Sequence, residues 1–146
     1  MKNKEFYIWL AGFIDGEGCI GIYKHTYSHN PQIMLQISNT YKIVLDYILV
    51  NLGVGSICGA EKSNPKNKDA WKYSVYSGSV IEICKKCLPY LKVKHLQAEL
   101  VIEFWSKYVP YLKQKQGWKK VENKDYYVSK MKELNRKGCV VTLDAD

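Results

Sequence analysis

The chain has 146 residues, of which 47% are hydrophobic, and its 22 Lys and Arg against 14 Asp and Glu give a formal net charge of +8. A chain of this size and composition buries a sizeable apolar core, which excludes disordered, collagen-like and small disulfide-stapled proteins. It lacks the run of roughly 20 apolar residues that a membrane span needs, and it lacks the pattern of a signal peptide. We therefore expect one intracellular domain over residues 1–146, in a prokaryotic cytoplasm or an organelle, with no membrane contact.

The basic balance indicates a polyanionic partner, because Lys side chains that neutralise phosphates release counterions from nucleic acid. Solubility alone is the alternative explanation. Arg136 is the only arginine, so the bidentate arginine contact to guanine is almost unavailable, and any base recognition would depend on Lys, Gln, Asn, Ser and Tyr.

The five cysteines do not indicate a disulfide framework, because their number is odd. Cys84 and Cys87 form a CxxC pair, which is one half of a common zinc motif, but no second pair follows at a suitable spacing. Cys84 also recurs with Ile81 and Leu88 at helical spacing. We expect this pair to pack in the core.

The first predicted element is a helix over residues 5–16 that is apolar on nearly every side. One stripe consists of Phe6, Trp9, Leu10, Phe13 and Ile14, and the rest of the surface includes Tyr7, Ile8, Ala11 and Gly12. Because such a helix is buried on two sides, we expect one side to pack on this domain and the other on a partner. Gly12 and Gly16, with Ala11, would let a second backbone approach closely, although Gly16 could simply end the helix.

Two pairs of strands follow, and after each pair the sequence predicts a helix. The first pair covers residues 19–25 and 32–38 around a turn at 28–31, and the second covers residues 56–62 and 70–77. Helices are predicted at 41–52, with Asn39 or Thr40 as N-cap and Gly53 as stop, and at 79–90, 94–112 and 125–136 after a lysine-rich loop at 113–124. The order predicts an α+β fold of the αββαββα type, with a four-stranded antiparallel sheet covered by helices on one face.

The other face of that sheet has the breadth to lie in a groove of DNA. Alternation in the first two strands selects six polar side chains and one methionine that suits a thymine methyl group: Tyr23, His25, Tyr27, Gln32, Met34, Gln36 and Ser38. Lys62, Lys66 and Lys68 are predicted to contact base edges or phosphates. Trp71 and Tyr73 share one side of their strand, where DNA contact and core packing are both open.

Two acidic residues lie at the end of the first helix. Glu17 is predicted just beyond the helix C-terminus, where the macrodipole is negative, and Asp15 lies in the same field. Neither has a Lys or Arg nearby in the segment. A divalent cation such as Mg²⁺ or Ca²⁺ would supply the missing positive charge. Solvated acids in a glycine-rich turn are the alternative.

The segment LAGFIDGEG at residues 10–18 resembles the signature of the LAGLIDADG homing endonucleases. Further similarities follow in the family's order: QISNT at 36–40, LGVG at 52–55 and LPYLKVK at 88–94. The resemblance covers about residues 5–112. It implies a LAGLIDADG fold with its core at 5–112 and a basic C-terminal extension at 113–146.

One copy of the motif implies a homodimer in which two signature helices pair side by side. The pairing surface is assigned to Tyr7, Ile8, Ala11, Gly12, Asp15 and Gly16. Each sheet would then cover half of a long, nearly palindromic site in double-stranded DNA.

The resemblance also implies a catalytic centre. Glu17, where the family more often has Asp, and Gly16 become the metal-binding positions for Mg²⁺, with Ca²⁺ as an ion that binds without supporting cleavage. Lys94 matches the basic residue near the scissile phosphate, and Asn39 the amide that holds solvent near the metal. The implied product is a double-strand break with 3′ overhangs.

Two alternatives remain open at this point. The first is an intron-splicing RNA maturase, with intron RNA as partner, or a non-cleaving nucleic-acid-binding regulator on the same scaffold. The second is a basic interaction module without sequence preference.

Overall fold

A computed structural model describes residues 3–24, 31–59, 64–115 and 117–136, and its elements follow the predicted order. The helices are α1 (Lys4–Glu17), α2 (Lys42–Leu52), α3 (Gly78–Cys87), α4 (His95–Tyr108) and α5 (Lys124–Leu134), and the strands are β1 (Gly18–Lys24), β2 (Pro31–Asn39), β3 (Ser56–Gly59) and β4 (Trp71–Tyr76). Among the described residues, no helix is long and apolar enough to cross a membrane.

The third and fourth predicted helices are shorter as α-helices than the apolar pattern indicated. Each continues into a 3₁₀ turn, at Leu88–Tyr90 and Val109–Tyr111, that has a proline near its start. Pro89 and Pro110 lack the backbone N–H that would continue the α-helical hydrogen bonds, although Leu88 and Val109 before them keep αR backbone angles. Gly53, in contrast, ends α2 as predicted: it adopts φ 70° and donates its N–H to the Leu49 carbonyl at 2.8 Å.

The four strands form one antiparallel sheet in the order β1, β2, β4, β3. Both predicted strand pairs are confirmed, and β2 joins them by pairing with β4. The predicted α+β fold, with its four-stranded antiparallel sheet, is therefore confirmed. Residues 28–30 of the predicted turn between the first two strands lie outside the described residues.

One face of the sheet is covered by the helices and forms the core. Its buried side chains are Ile20, Ile22, Ile33, Leu35, Ile37, Tyr73 and Val75. Buried residues of α1, α2, α3, α4 and α5 belong to the same apolar cluster. The outer face carries the alternate residues of each strand, because successive side chains in a strand point to opposite sides.

The C-terminal part of the chain completes this core. Val121, Tyr127 and Met131 are buried in the same cluster as the sheet residues, so the apolar core includes residues from the basic C-terminal extension predicted at 113–146. Helix α5 also lies along the free edge of β1, where Asn135 Nδ2 donates to the Ile20 carbonyl at 2.8 Å. An edge covered in this way is protected from pairing with another chain.

The CxxC pair lies on α3 and packs in the core, as predicted. Cys84 and Cys87 are both buried, and burial raises the pKa of each thiol to about 12, with the charge of Asp15 adding to the effect on Cys87. Both thiols are therefore protonated at neutral pH. The described residues contain no group of three His, Cys, Asp or Glu that could hold a metal ion; Cys139 lies outside them.

Candidate active site and nucleic-acid interface

Helix α1 carries the acidic residues and runs directly into the sheet. It begins at the N-cap Asn3, whose Oδ1 accepts the Phe6 N–H at 2.9 Å, and Glu17 is its last residue rather than the first residue beyond it. The chain turns into β1 at Gly18, where a Cβ would lie 2.9 Å from the Ile14 carbonyl oxygen. The tight turn therefore requires glycine, and it leaves the Glu17 side chain exposed at the negative end of the helix.

Asp15 is engaged within its own chain. Its carboxylate accepts the backbone N–H groups of Lys92, Val93 and Lys94 at 2.7, 3.1 and 2.9 Å. These bonds lie within the single chain and account for the Asp15 oxygens there; the assignment of Asp15 to a dimer contact stays a prediction.

Lys94 lies at the same helix end as the acidic residues. Its Nζ donates to the Asp15 backbone carbonyl at 2.6 Å, two residues before Glu17 in the sequence. The segment around Glu17 contains no basic residue, so this cation comes from a position 77 residues away from Glu17. The structure thus places Lys94 at the helix end that carries Glu17, although the two residues are far apart in the sequence.

The exposed side of α1 differs from the prediction by a rotation of the helix. Tyr7 and Ala11, assigned to the dimer interface, are buried against their own domain, while Trp9 is 38% exposed. Both sides of the helix are apolar, so periodicity alone could not fix the rotation. Of the predicted surface, Ile8, Gly12 and Gly16 remain exposed, and Trp9 joins them.

We call these four residues the α1 surface: Ile8, Trp9, Gly12 and Gly16. A Cβ added at Gly12 or Gly16 would meet nothing within 4 Å, so the fold of the single chain does not require glycine at either position. Trp9 stacks on Phe13 with ring centroids 5.2 Å apart and meets Tyr47 of α2 edge-on. An open groove of about 430 Å³ continues from Trp9 along α2. The α1 surface and the groove beside it are thus exposed and largely apolar.

The outer face of the sheet carries most of the predicted DNA-contacting residues. Tyr23, Gln32, Met34, Gln36 and Ser38 alternate with buried aliphatic residues and point away from the helices. Lys66 and Lys68 are exposed in the loop before β4. His25, Tyr27 and Lys62 lie outside the described residues.

In strand β4, the outer face of the sheet carries the residues that alternate with Trp71 and Tyr73, the pair singled out from the sequence. The register places Lys72, Ser74 and Tyr76 across from Ser38, Gln36 and Met34, and therefore on the outer face. Trp71 and Tyr73 lie on the helix side. Tyr73 is fully buried and donates its hydroxyl to the Val54 carbonyl at 2.8 Å, and burial raises its pKa to about 12.

Of the two possibilities left open for this strand, core packing holds for Tyr73, whose burial removes it from the candidate DNA contacts. Trp71 is half-buried and packs against the core. The sequence missed Lys72, Ser74 and Tyr76 because both alternating sets of this strand contain an aromatic residue, and only the strand register decides which set faces outward.

Contacts across the outer face fix the orientation of its side chains. Gln36 Nε2 donates to Ser74 Oγ at 3.3 Å. The ring of Tyr23 lies over Gly21, where a Cβ would stand 2.3 Å from the ring. Burial, and next the hydrogen bond with Cys19, raise the pKa of Tyr23 to about 12. The phenol is therefore protonated at neutral pH and can act as a donor.

Asn39 ends β2, and its side chain shapes the turn into α2. Its Oδ1 accepts the Tyr41 N–H at 2.7 Å. The N-cap of α2 is Tyr41, without a side-chain hydrogen bond, so the predicted capping by Asn39 or Thr40 is wrong. An Asx turn replaces the cap.

The donor set at the end of α1 fits a Mg²⁺ ion that takes further ligands from a nucleic acid. Glu17 offers one exposed hard-oxygen carboxylate in a negative field. Mg²⁺ is commonly held by one or two carboxylates together with substrate phosphates and water, not by a complete cage of protein ligands. The single carboxylate suits that mode of binding.

A family model described as LAGLIDADG endonuclease matches residues 10–123. The chain is similar to DNA endonuclease I-CvuI of Chlorella vulgaris, with 29% identity over 101 residues that cover 66% of this chain and 62% of the relative. It is also similar to DNA endonuclease I-CreI of Chlamydomonas reinhardtii, with 32% identity over 112 residues that cover 69% and 63%. The matches thus span less than two thirds of either relative.

Solved structures share the fold. A crystal structure of I-CvuI with the I-CreI target in the presence of Mg, in which the DNA was not cleaved, gives a TM-score of 0.69 at 25% identity over 94% of this chain and 88% of that chain. I-CvuI with its own target in the presence of Ca gives 0.70 at 24% identity, over 94% and 87%. The archaeal intron-encoded endonuclease I-Vdi141I with DNA gives 0.66 at 21% identity, over 94% and 89%.

Proposed function

Because the chain belongs to the LAGLIDADG endonuclease family, we propose that it is a site-specific homing endonuclease that makes a metal-dependent double-strand break with 3′ overhangs. The observation that carries the proposal is the position of Lys94 at the helix end that exposes Glu17. The endonucleases named among its relatives, two of them crystallised with DNA, support this reaction class.

The outer face of the sheet is the proposed DNA-binding surface. It offers donors and acceptors to base edges from Tyr23, Gln32, Gln36 and Ser38, and the methyl group of Met34 to thymine. Lys72 on the same face and Lys66 and Lys68 in the adjoining loop would neutralise phosphates. The Gln36–Ser74 and Tyr23–Cys19 contacts orient the side chains of Gln36 and Tyr23 in the absence of DNA.

The α1 surface is the proposed contact between two copies of the chain. Gly12 and Gly16 leave room for close approach of a second α1, and Ile8 and Trp9 supply the apolar area. A twofold axis between the two helices would bring both Glu17 carboxylates to the centre of a symmetric DNA site. Each copy would then serve one strand.

Glu17 is the proposed metal ligand, together with the backbone at Gly16. A divalent ion held there would supply Lewis-acid stabilisation at the phosphate and a lowered pKa of bound water. Lys94 has three ammonium protons, of which one is donated to the Asp15 carbonyl, and it would stabilise the negative charge that develops on the phosphate. Asn39 would hold solvent through its amide nitrogen, because its oxygen accepts from Tyr41.

A cleavage selection tests the function. The purified chain is incubated in Mg²⁺ with double-stranded DNA whose randomised half-sites are mirrored into palindromes, and the cleaved ends are sequenced. We expect one consensus with 3′ overhangs, no cleavage in EDTA, and binding without cleavage in Ca²⁺. No cleaved product, with splicing of a host intron that requires the protein, would replace the proposal by a maturase. Binding without sequence preference at physiological salt would replace it by a basic interaction module.

Lys72→Gln tests the corrected DNA-binding face. Because Lys72 lies on the outer face beside Ser38, we expect weaker binding to all sequences and a salt slope of log K lowered by about 1, as for one lost phosphate contact. Binding is measured by fluorescence anisotropy at several salt concentrations.

Lys85→Gln is the matched control for Lys72→Gln. Lys85 is exposed on α3, in the helix layer on the opposite side of the sheet, and the substitution changes the net charge equally. We expect it to leave the salt slope unchanged. Equal effects of the two substitutions would mean that only net charge matters, and the outer face would lose its assignment.

A further inference from the structure

Helix α4 begins without a cap of its own. Its N-cap residue is Lys94, which makes no side-chain capping bond, and its first turn contains no acidic residue. The backbone N–H groups at a helix start need acceptors. Asp15, from the last turn of α1, binds the segment that leads into this helix: its two carboxylate oxygens accept the N–H groups of the N-cap Lys94 and of the two residues before it, Lys92 and Val93, at 2.7–3.1 Å.

The end of α1 has the complementary need. Its last turn contains no basic residue, and its carbonyl groups form the negative pole of the helix. Lys94 supplies the charge by donating its Nζ to the Asp15 carbonyl at 2.6 Å. Both residues are half-buried, so these charge-assisted hydrogen bonds are less screened than bonds on an open surface.

Each of the two residues thus places its charged group at the end of the other residue's helix. The carboxylate of Asp15 faces the positive start of α4, and the ammonium of Lys94 faces the negative end of α1. Because four hydrogen bonds join the same two residues and their neighbours, the Lys94 amine and the backbone that carries Glu17 are fixed relative to each other.

We infer that Asp15 is a positioning residue that holds Lys94 for the reaction at Glu17, an inference that rests on the proposed function. Asp15 itself has its oxygens turned to the backbone of residues 92–94 and does not need to contact DNA. Lys94 has a long, flexible side chain. With one proton donated to the Asp15 carbonyl, its ammonium group is held at the end of α1, and its other two protons are left for another acceptor.

A double-mutant cycle tests the inference. Single-turnover cleavage in Mg²⁺ and DNA affinity in Ca²⁺ are measured for the wild type, Asp15→Asn, Lys94→Met and the double variant. We expect Asp15→Asn to slow cleavage about tenfold or more with affinity changed less than about twofold. In the Lys94→Met background it should cause no further fall. If instead the double variant showed the product of the two single losses in cleavage rate, the inference would be overturned, since Asp15 would then act without Lys94.

Asn3→Ala is the control for loss of a helix cap. Asn3 caps the other end of α1 through the Phe6 N–H, so a general loss of helix stability would appear in this variant also. We expect Asn3→Ala to cleave at the wild-type rate once it is folded. Slowing equal to that of Asp15→Asn would reduce the role of Asp15 to stability.

A measurement that does not depend on cleavage separates this inference from the proposed function. In protein labelled with ¹⁵N at lysine side chains, the ammonium signal of Lys94 is identified by its loss in Lys94→Met. Asp15→Asn should abolish or shift that signal while the backbone amide spectrum stays folded. An unchanged Lys94 signal would overturn the inference. A wild type that cleaves no DNA would overturn the proposed function, and the Lys94 signal alone would then decide whether Asp15 positions Lys94.

Discussion

Glu17→Gln is expected to leave specific DNA binding intact and to slow cleavage by about 10³-fold, or roughly 4 kcal/mol in the activation free energy. The amide has nearly the shape of the carboxylate but lacks the charge that would hold a divalent ion. Glu17 is exposed and has no side-chain hydrogen bond among those of the described residues, so the fold should tolerate the change within about 0.5 kcal/mol. Affinity in EDTA and single-turnover cleavage in Mg²⁺ are the measurements.

Two further variants make that result specific. Glu5→Gln is the same substitution in the first turn of the same helix, at the end away from Lys94, and it should cleave as the wild type does. Glu17→Asp restores the carboxylate with a shorter reach and should recover part of the lost rate. Full cleavage by Glu17→Gln, or equal losses in Glu5→Gln and Glu17→Gln, would remove Glu17 from the mechanism.

The Glu17 position illustrates what local sequence can and cannot predict. The helix, the acidic residues and the glycine turn all lie within one segment, so propensity and spacing sufficed to find them. Lys94 at the same helix end, in contrast, depends on how α1 packs against the start of α4. The partners of Asp15 within the chain are backbone N–H groups 77 to 79 residues away, and backbone donors leave no trace in a sequence.

The sheet shows the same division between local and non-local information. Alternation in β2 separates aliphatic from polar residues so cleanly that the outer residues Gln32, Met34, Gln36 and Ser38 were identified without a structure. In β4 the two alternating sets are similar in character, and the pairing of Gln36 with Ser74 decides between them. Strand register is a long-range property, so Tyr73 could be assigned to the core only once its partner strand was known.

Helix α1 is the case where a correct principle gave an incomplete answer. Two apolar sides predicted two packing partners, and the helix does bury one side in its own domain and expose the other. The rotation remained open because Tyr7 and Trp9 are equally plausible on either side. Space around the glycines settles it: Gly12 and Gly16 face open space in the single chain, although glycine weakens a helix by about 1 kcal/mol relative to alanine.

Gly12→Leu follows from that observation and is expected to separate folding from pairing. In the single chain the new side chain meets nothing within 4 Å of its Cβ, and leucine is the better helix former, so the free energy of unfolding should rise by up to about 0.8 kcal/mol. In the dimer, the twofold symmetry would place two added leucines in the close contact between the helices. Each would cost about 1–3 kcal/mol of association free energy through overpacking. The dimer dissociation constant should therefore increase roughly thirty-fold or more.

Sedimentation velocity over a range of protein concentrations measures the pairing, and urea denaturation at a concentration where the variant is monomeric measures the folding. Glu99→Leu, an exposed position on α4, adds the same side chain outside the α1 surface and should leave the dimer unchanged. Cleavage by Gly12→Leu should fall in parallel with the dimer population and return as the protein concentration is raised. A Gly12→Leu variant that pairs like the wild type would show that two copies do not meet through α1, and both Glu17 carboxylates would then need another route to one DNA site.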